Sequence, residues 1–172
     1  SRISIECQST SHTLQLLQER RIDIGFIGRP SSMGNITFHS LGEIEDIFVA
    51  SKSYMDNLSL SSSTADIFHA ATLMLLDKEN ITRRYIDDYL KEHHIDPGNL
   101  LEISTMDLLI EFAKIGLGIA CVIRQFVQEE LDRGILHEIP LGFPIHAREI
   151  GLAFPSSSSQ SQALKTFTDF FR

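Results

Sequence analysis

The sequence predicts an α/β fold in which mostly parallel strands form sheets flanked by helices. Short apolar runs rich in branched side chains alternate along the chain with segments of helical periodicity. Short polar or glycine-containing connections join the two kinds of segment, and the Gly-Leu-Gly at 116–118 is the clearest of them. Strands that alternate with helices through such short connections usually form parallel sheets covered on both faces. A chain of 172 residues has room for one large domain or two small ones.

Composition and charge exclude several classes of function. A hydrophobic content of 42% with 22% charged residues is typical of a soluble globular protein with a sizeable core. The formal net charge of −8 argues against direct binding to a nucleic-acid backbone, which needs clustered Lys and Arg. No apolar run is long enough to span a membrane, and no signal peptide begins the chain at Ser1. We therefore expect a cytoplasmic location and no membrane partner.

Cysteine and histidine usage predicts neither a metal site nor a cofactor. Cys7 and Cys121 both fall in candidate strands and have no CxxC partner, so they are expected to be buried apolar side chains. The seven histidines never occur at zinc-ligand spacing with cysteines. His93 and His94 are expected near a helix C-terminus, where a positive charge suits the helix dipole.

Three strands and one helix are predicted in the first fifty residues. Alternating apolar and polar side chains favour a strand over Ile3 to Cys7. Ser9 or Thr10 stands where it would cap a helix, whose inward face would carry Leu14, Leu16 and Leu17. The run "IDIGFI" at 22–27 predicts a buried strand, a loop "GRPSSMGN" follows it, and 44–50 predicts the next strand.

The middle of the chain predicts two further strand and helix pairs. The polar stretch "SKSYMDNLSLSSST" at 51–64 is interpreted as a crossing between lobes. Beyond it, "ATLMLL" at 71–76 predicts a buried strand, and residues 82–89 a helix with an apolar side. Residues 100–103 then predict a strand. Ser104 and Thr105 would cap the next helix, whose apolar side chains are Leu108, Leu109, Phe112 and Ile115.

The Gly-Leu-Gly connection predicts a tight passage from that helix into a buried strand over 118–122. Gly116 fits the first position past a helix end, where a left-handed backbone disfavours other residues by about 1 kcal/mol or more. Gly118 would allow the backbone to enter the strand closely. Neither a third glycine nor a Lys-Ser/Thr pair follows, so the motif does not indicate a phosphate-binding loop.

The last fifty residues predict two helices and two strands. A helix is expected over 124–131, a short strand over 135–139 and a longer one, "REIGLAF", over 148–154. A polar loop, "PSSSSQSQ", then precedes a closing helix for which Ser161 is a candidate cap. The apolar stripe of that helix would comprise Leu164, Phe167, Phe170 and Phe171.

Three segments together resemble the effector-binding domain of LysR-type transcriptional regulators. They are "ECQSTSHTLQLLQERRIDIGFIGRP", "LEISTMDLLIEFAKIGLGIACV", and "GILHEIPLGFPIHAREIGLAFP" with its closing helix. Their order and spacing cover nearly the whole chain. The family usually has a proline shortly after the glycine joint, where this chain has Val-Ile-Arg at 122–124.

The resemblance implies a two-lobed fold of the type 2 periplasmic-binding-protein kind. Lobe I would comprise residues 1–54 with 148–172, and lobe II residues 55–147. The chain would cross between lobes near 52–57 and again near 145–150. The family's domain opens with a strand and helix ahead of the segment that starts here at Arg2, with a helix-turn-helix further upstream, and neither is expected in this chain. A first-lobe sheet without that strand would leave buried backbone groups unpaired at about 1–3 kcal/mol each, so we expect it to re-pair or to accept a strand from a neighbouring chain.

The resemblance also implies a small-molecule effector, held where strands end and helices begin. Strand ends and helix N-termini are the usual ligand positions in open α/β sheets, and helix N-termini favour anions. Ser9 and Thr10 would offer cleft-facing hydroxyls or plain helix caps, and Ser104 and Thr105 would do the same in lobe II. The remaining candidates are Gly28 and Arg29, the latter as a bidentate anion partner or a solvated loop residue, and Met106 and Val122, as an apolar wall or core.

The function implied is that of a ligand sensor rather than an enzyme. Effector binding would shift a conformational population and alter DNA binding by a homodimer or tetramer, with DNA contacted only through the helix-turn-helix domain. A secreted solute-binding protein of the same fold is one alternative, and a domain that chiefly mediates assembly is another. A small α/β enzyme is the third, although neither GxSxG nor HExxH occurs in the chain.

Overall fold

The computed structural model describes residues 10–58, 63–156 and 162–170. The chain divides into two compact units, the first formed by residues 1–43 with 148–172 and the second by residues 44–147. The elements in chain order are α1 Thr10–Gln18, β1 Gly25–Gly28, β2 Ile36–Ile44, β3 Asp46–Ser51, α2 Lys52–Asp56, α3 Thr64–Ala70, β4 Thr72–Leu76, α4 Ile81–Glu92, β5 Asn99–Ile103, α5 Met106–Lys114, β6 Ile119–Ile123, α6 Gln128–Asp132, β7 Leu136–Glu138, β8 Arg148–Pro155 and α7 Gln162–Phe170.

The first unit contains a three-stranded sheet in the order β1-β8-β2. Strand β1 pairs antiparallel with β8, and Gly28 faces Ile150 in the register. A small apolar cluster packs α1 against this sheet, with Leu17, Ile27, Ile36 and Ala153 as its buried members. Gly151 lies at a close approach of strands, since a Cβ atom there would lie 2.2 Å from the carbonyl oxygen of His39.

Strand β2 is an element that the sequence analysis missed. It spans Ile36–Ile44 and ends where the next strand was expected to begin, so the predicted strand at 44–50 is in fact β3, Asp46–Ser51. Most β2 side chains are partly or fully exposed, and Gly42 has a φ of +143°. The regular alternation that indicates a half-buried strand is therefore weak in this segment.

The second unit contains a five-stranded mixed sheet in the order β5-β4-β6-β3-β7. Strand β4 is parallel to β5 and to β6, whereas β3 is antiparallel to β6 and to β7. The α/β class is confirmed, but the expectation of mostly parallel strands is wrong within the described residues. Strands β3 and β6 run in opposite directions, and sequence periodicity carries no information on strand direction.

The pairing of β3 also fixes the membership of residues 44–54. They were expected in lobe I, but β3 pairs with β6 and β7 and therefore lies in the second unit. The polar stretch expected to form a crossing is partly helical, because Ser51 caps α2 and Ser63 caps α3 through their side chains. The later boundary, between 147 and 148, falls within the range expected for a crossing.

Two apolar layers cover the two faces of the five-stranded sheet. Successive residues of one strand belong to different layers, as Ile47 and Phe48 of β3 do. In the first layer, the rings of Phe48 and Phe68 meet edge to face at a centroid distance of 4.7 Å. Cys121 is buried in the same layer, as the sequence predicts. A sheet covered on both faces is confirmed for this unit.

The Gly-Leu-Gly joint has the conformation predicted for it. Helix α5 ends at Lys114 with Ile115 as its C-cap, and Gly116 follows with a φ of +82°. At Gly118 a Cβ atom would lie 2.4 Å from the carbonyl oxygen of Thr72, the first residue of β4. The first glycine is thus needed for its backbone angle, and the second for the close approach of β6 to β4.

Several predicted elements differ in extent. The strand expected over 22–27 is β1, which begins only at Gly25, after Arg20 with a positive φ of 56°. The helix expected over 124–131 is a 3₁₀ turn, Arg124–Phe126, followed by α6. Helix α7 confirms the closing helix, but Phe170 on it is 83% exposed. The predictions for Ile3 to Cys7, Ser9, Ser161, Phe171 and the side chain of Leu164 lie outside the described residues.

Candidate functional site

In the first unit, the hydroxyl expected at the start of α1 is covered by protein. Thr10 is the first residue of α1, and its side chain is buried together with Thr13, Leu16 and Leu17. Burial of a hydroxyl favours a structural role over direct contact with a solvent-borne ligand.

Arg29 is the centre of a polar cluster formed by all three strands of the first unit. It follows β1 directly, and its Nε atom donates a hydrogen bond to Glu149 of β8. The backbone N–H of Arg29 donates to the Glu149 carbonyl oxygen at 2.9 Å. From β2, Ser40 donates to the Glu149 carboxylate at 3.4 Å, and the Phe38 ring centroid lies 4.9 Å from the guanidinium carbon.

The ion pair shifts the titration of both partners. The hydrogen bond from Arg29 holds the pKa of the Glu149 carboxyl below its usual range. The hydrogen bond to Glu149 raises the pKa of Arg29 further above neutrality. The Arg29 side chain is 48% exposed and that of Glu149 31%, so solvent reaches the pair.

In the second unit, three candidate residues occupy consecutive positions where β5 passes into α5. Ser104 is exposed, and Thr105 is the N-cap of α5, its Oγ1 atom accepting the backbone N–H of Leu108 at 3.3 Å. Met106 is half-buried and packs against the core layer that contains Leu109. Thr105 is confirmed as the helix cap, and Ser104 does not cap the helix.

Val122 does not line a surface. Its side chain is fully buried in β6, and it faces Ile47 of β3 in the antiparallel register. Of the two roles that the sequence allows for Val122, an apolar wall of the site or core packing, its burial favours core packing. A side chain enclosed between a sheet and its covering helices is not available to a ligand, so this burial argues against a place for Val122 in the candidate site.

The sequence analysis missed Arg83, a buried charge at the carboxyl edge of the second unit's parallel strands. Its side chain is 3% exposed, and it contacts Asp87 at 2.8 Å and Glu102 of β5 at 3.4 Å. Its Nη1 atom also donates to the carbonyl oxygen of Leu76, the last residue of β4, at 2.8 Å. Arg84, the next residue of α4, is exposed. Helical spacing distinguishes the two arginines, because Arg83 lies three residues before Ile86 and seven before Leu90, both buried on one side of α4.

The structure brings the candidates together in two groups. Gly28 and Arg29 adjoin in the first unit, and Ser104, Thr105 and Met106 adjoin in the second. Within the described part of the chain, no cluster of three or more His, Cys, Asp or Glu residues is arranged to hold a metal ion. In the same residues, no helix has the length and apolar character needed to cross a bilayer.

These sheets and helices define the class of the protein as a two-lobed α/β domain of the type 2 periplasmic-binding-protein-like fold. The family described as LysR substrate binding domain matches residues 1–172, so the chain belongs to that family. The resemblance drawn from the three sequence segments is thereby confirmed.

Individual relatives agree with the family assignment. The chain is 25% identical over 168 residues to the uncharacterized HTH-type transcriptional regulator YeiE of Escherichia coli K12, covering 98% of this chain and 57% of that protein. The chain thus spans little more than half the length of this curated relative. The regulatory domain of HypT from Salmonella typhimurium superposes with a TM-score of 0.83 at 18% identity, over 98% of this chain and 80% of that one.

A further solved structure contains a bound small molecule. The regulatory domain of CcmR from Synechocystis PCC6803, in complex with 2-PG, superposes with a TM-score of 0.81 at 15% identity. The match covers 99% of this chain and 81% of that domain. At this level of identity the likeness shows the fold alone.

Proposed function

We propose that this chain is the ligand-sensing domain of a LysR-type transcriptional regulator and that it binds a small anionic effector. The observation that carries the proposal is the family match over all 172 residues. The named relative YeiE is a transcriptional regulator, and the CcmR regulatory domain was solved with a small molecule. Both support a regulatory, non-enzymatic role.

Arg29 is the residue that favours an anionic effector. Its guanidinium is half-exposed at the end of β1, where ligands commonly bind in α/β sheets. Ser104 and Thr105 supply a second candidate contact at the N-terminus of α5, which carries Asp107 in its first turn. That carboxylate weakens the case for an anion there, so Ser104 is proposed as a neutral hydrogen-bonding contact.

The mechanism proposed is a shift in conformational population. An effector can change the state of a regulator only by binding one arrangement more tightly than another. The response would be read out as altered DNA binding by a homodimer or tetramer, through a DNA-binding domain outside this chain. The oligomeric state is measured by light scattering with and without effector.

A binding screen tests the proposed function. Small carboxylates and phosphates, each paired with a neutral amide or alcohol analogue, are tested by thermal unfolding of the chain, and positives are quantified by calorimetry. We expect at least one anion to raise the unfolding temperature while its neutral analogue does not, because only the species that binds the folded state stabilises it. Stabilisation by no compound, or chemical conversion of the bound compound, would contradict the proposal.

A further inference from the structure

The guanidinium of Arg29 is held from two directions by side chains of β8 and β2. Glu149 accepts a hydrogen bond from Nε, and the Cζ atom of Arg29 lies over the Phe38 ring, 4.9 Å from its centroid. Glu149 is itself fixed, since Ser40 donates to its other carboxylate oxygen. These contacts come from strands β8 and β2, which are paired in one sheet.

One edge of the same guanidinium has no protein acceptor among the described residues. Arginine has one N–H on Nε and two on each Nη atom. Within residues 10–58, 63–156 and 162–170, the ion pair with Glu149 is the only hydrogen bond or salt bridge that the Arg29 side chain makes, and it uses Nε. The four Nη hydrogens are therefore left for solvent or a ligand. Their planar fork matches the oxygens of a carboxylate or a phosphate.

We propose that Glu149 and Phe38 are positioning residues that aim the Nη edge of Arg29 at an oxyanion group, carboxylate or phosphate, of the effector. This inference rests on the proposed function and adds the ligand chemistry and the supporting residues. A long side chain that is already immobilised loses less conformational entropy when it binds, so its affinity for the ligand is higher. This gain opposes the charge repulsion between the Glu149 carboxylate and an anionic ligand, and in the proposal the gain is the larger of the two effects.

The opposite role for Glu149 makes an opposite prediction. If its carboxylate competed with the effector for Arg29, removing it would tighten anion binding. Glu149 contacts only Nε and leaves the Nη donors open, so what it can oppose an anion with is its charge. The direction of the affinity change in Glu149→Ala thus separates a positioning residue from a competitor.

The experiment is an NMR titration of the whole chain that follows the arginine side-chain resonances. Acetate and inorganic phosphate are added separately, with chloride used to hold the ionic strength constant. We expect saturable shifts of Arg29 with at least one anion, and the responding anion identifies the oxyanion class. In Glu149→Ala the apparent Kd should rise about fivefold or more. In Glu149→Gln it should stay within about twofold of wild type, because the amide oxygen still accepts from Nε.

Two further variants separate positioning from a general effect on the fold. In the Arg29→Ala background, Glu149→Ala should cause no additional loss, since a positioning residue acts only through the residue that it positions. Glu138→Ala is the matched control: it removes an exposed carboxylate that pairs with Arg124 at 2.8 Å in the other unit. Its anion affinity should equal that of the wild type.

The outcomes are decisive in either direction. Unchanged or tighter binding in Glu149→Ala, or no saturable shift of Arg29 with either anion, overturns the inference. The proposed function fails separately, when the binding screen finds no effector for the wild-type chain. If an effector is found whose affinity is the same for wild type and Arg29→Ala, the sensor function stands and the role of Arg29 and Glu149 falls.

Discussion

Arg83 is a buried charge whose partners tie together α4, β4 and β5. Its guanidinium contacts Asp87, Glu102 and the carbonyl oxygen of Leu76. Removing one partner from a buried, hydrogen-bonded charge network leaves the others unsatisfied and is typically destabilising by about 3–5 kcal/mol. Since Asp87 and Glu102 are themselves partly exposed, the lower end of that range applies here.

We predict that Arg83→Ala lowers the free energy of unfolding by about 3 kcal/mol. Its neighbour Arg84 is exposed and supplies the control, because Arg84→Ala should change stability by less than about 0.5 kcal/mol. Urea denaturation of the two variants and the wild type measures both values. Equal stability of the two variants would show that the Arg83 network contributes little.

The ion pair between Arg29 and Glu149 predicts how the stability of the fold depends on pH. Its carboxyl pKa is lowered in the folded chain by the hydrogen bond from Arg29. A depressed carboxyl pKa means that the ion pair stabilises the fold above the ordinary value of about 4.3, and that this stabilisation is lost as the pH falls through the lowered pKa.

The acid dependence of stability should therefore be shallower in Glu149→Gln than in the wild type. Thermal unfolding recorded at intervals below the ordinary carboxyl pKa tests this difference. The two proteins should converge at the acid end, where the wild-type carboxyl is protonated. Parallel curves over the whole acid range would contradict the assigned role of the ion pair.

At the scale of elements, the joint between α5 and β6 combines two glycines that are needed for different reasons. Gly116 has a φ of +82°, a region in which other residues are strained by roughly 1–2 kcal/mol. Gly118 has no such strain, but the carbonyl of Thr72 leaves no room for a Cβ atom. Backbone atoms cannot move aside as a flexible side chain can.

We predict that Gly118→Ala destabilises the chain more than Gly116→Ala, for which the expected loss is about 1 kcal/mol. Gly142→Ala is the control, since its Cβ would meet only the Thr64 hydroxyl at 3.9 Å. Denaturant midpoints of the three variants rank them. A Gly118→Ala variant as stable as Gly142→Ala would contradict the close approach of β4 and β6.

The N-cap of α5 provides a second prediction for an element. Thr105 accepts the backbone N–H of Leu108, and replacing such a cap by alanine typically lowers stability by about 1 kcal/mol. Thr105→Ala should show that loss in thermal or urea unfolding, and Thr105→Ser should restore most of it. If both variants match the wild type, the hydroxyl does not stabilise the helix.

Elements with strong periodicity and clear end signals could be predicted from the sequence, whereas strand direction could not. Helix α5, its Thr105 cap and the Gly116 turn were predicted because each depends on neighbouring residues. The antiparallel pairing of β3 with β6 joins segments about seventy positions apart, and nothing local records it. Strand β2 was missed because most of its side chains are exposed and their pattern is irregular.

In the candidate site, too, features with a local sequence signal could be predicted and features that depend on distant residues could not. Arg29 was predicted because a cation directly after a strand is visible in the sequence. Glu149 and Phe38, which hold it, were not predicted, because Glu149 is 120 positions away and Phe38 lies in β2, a strand that was itself not predicted. Val122 was placed in the site by family resemblance, while its branched apolar side chain in a buried strand already favoured the core.

For the molecule as a whole, the net charge argues that this chain does not itself contact DNA. The net charge of −8 opposes binding to a phosphate backbone. We predict no measurable binding of this chain to duplex DNA at physiological salt by fluorescence anisotropy, with or without an effector. Salt-sensitive binding at that ionic strength would contradict the assignment of DNA contact to another domain.

The central claim is that the chain recognises a small anion through Arg29 and does not transform it. The most direct test is calorimetric titration of the best anion from the screen into the wild type and into Arg29→Lys, which keeps the charge but loses the planar fork. We predict a saturable isotherm for the wild type, an affinity about tenfold or more weaker in Arg29→Lys, and the compound recovered unchanged. Equal affinities in the two proteins, or recovery of a converted compound, would contradict the account.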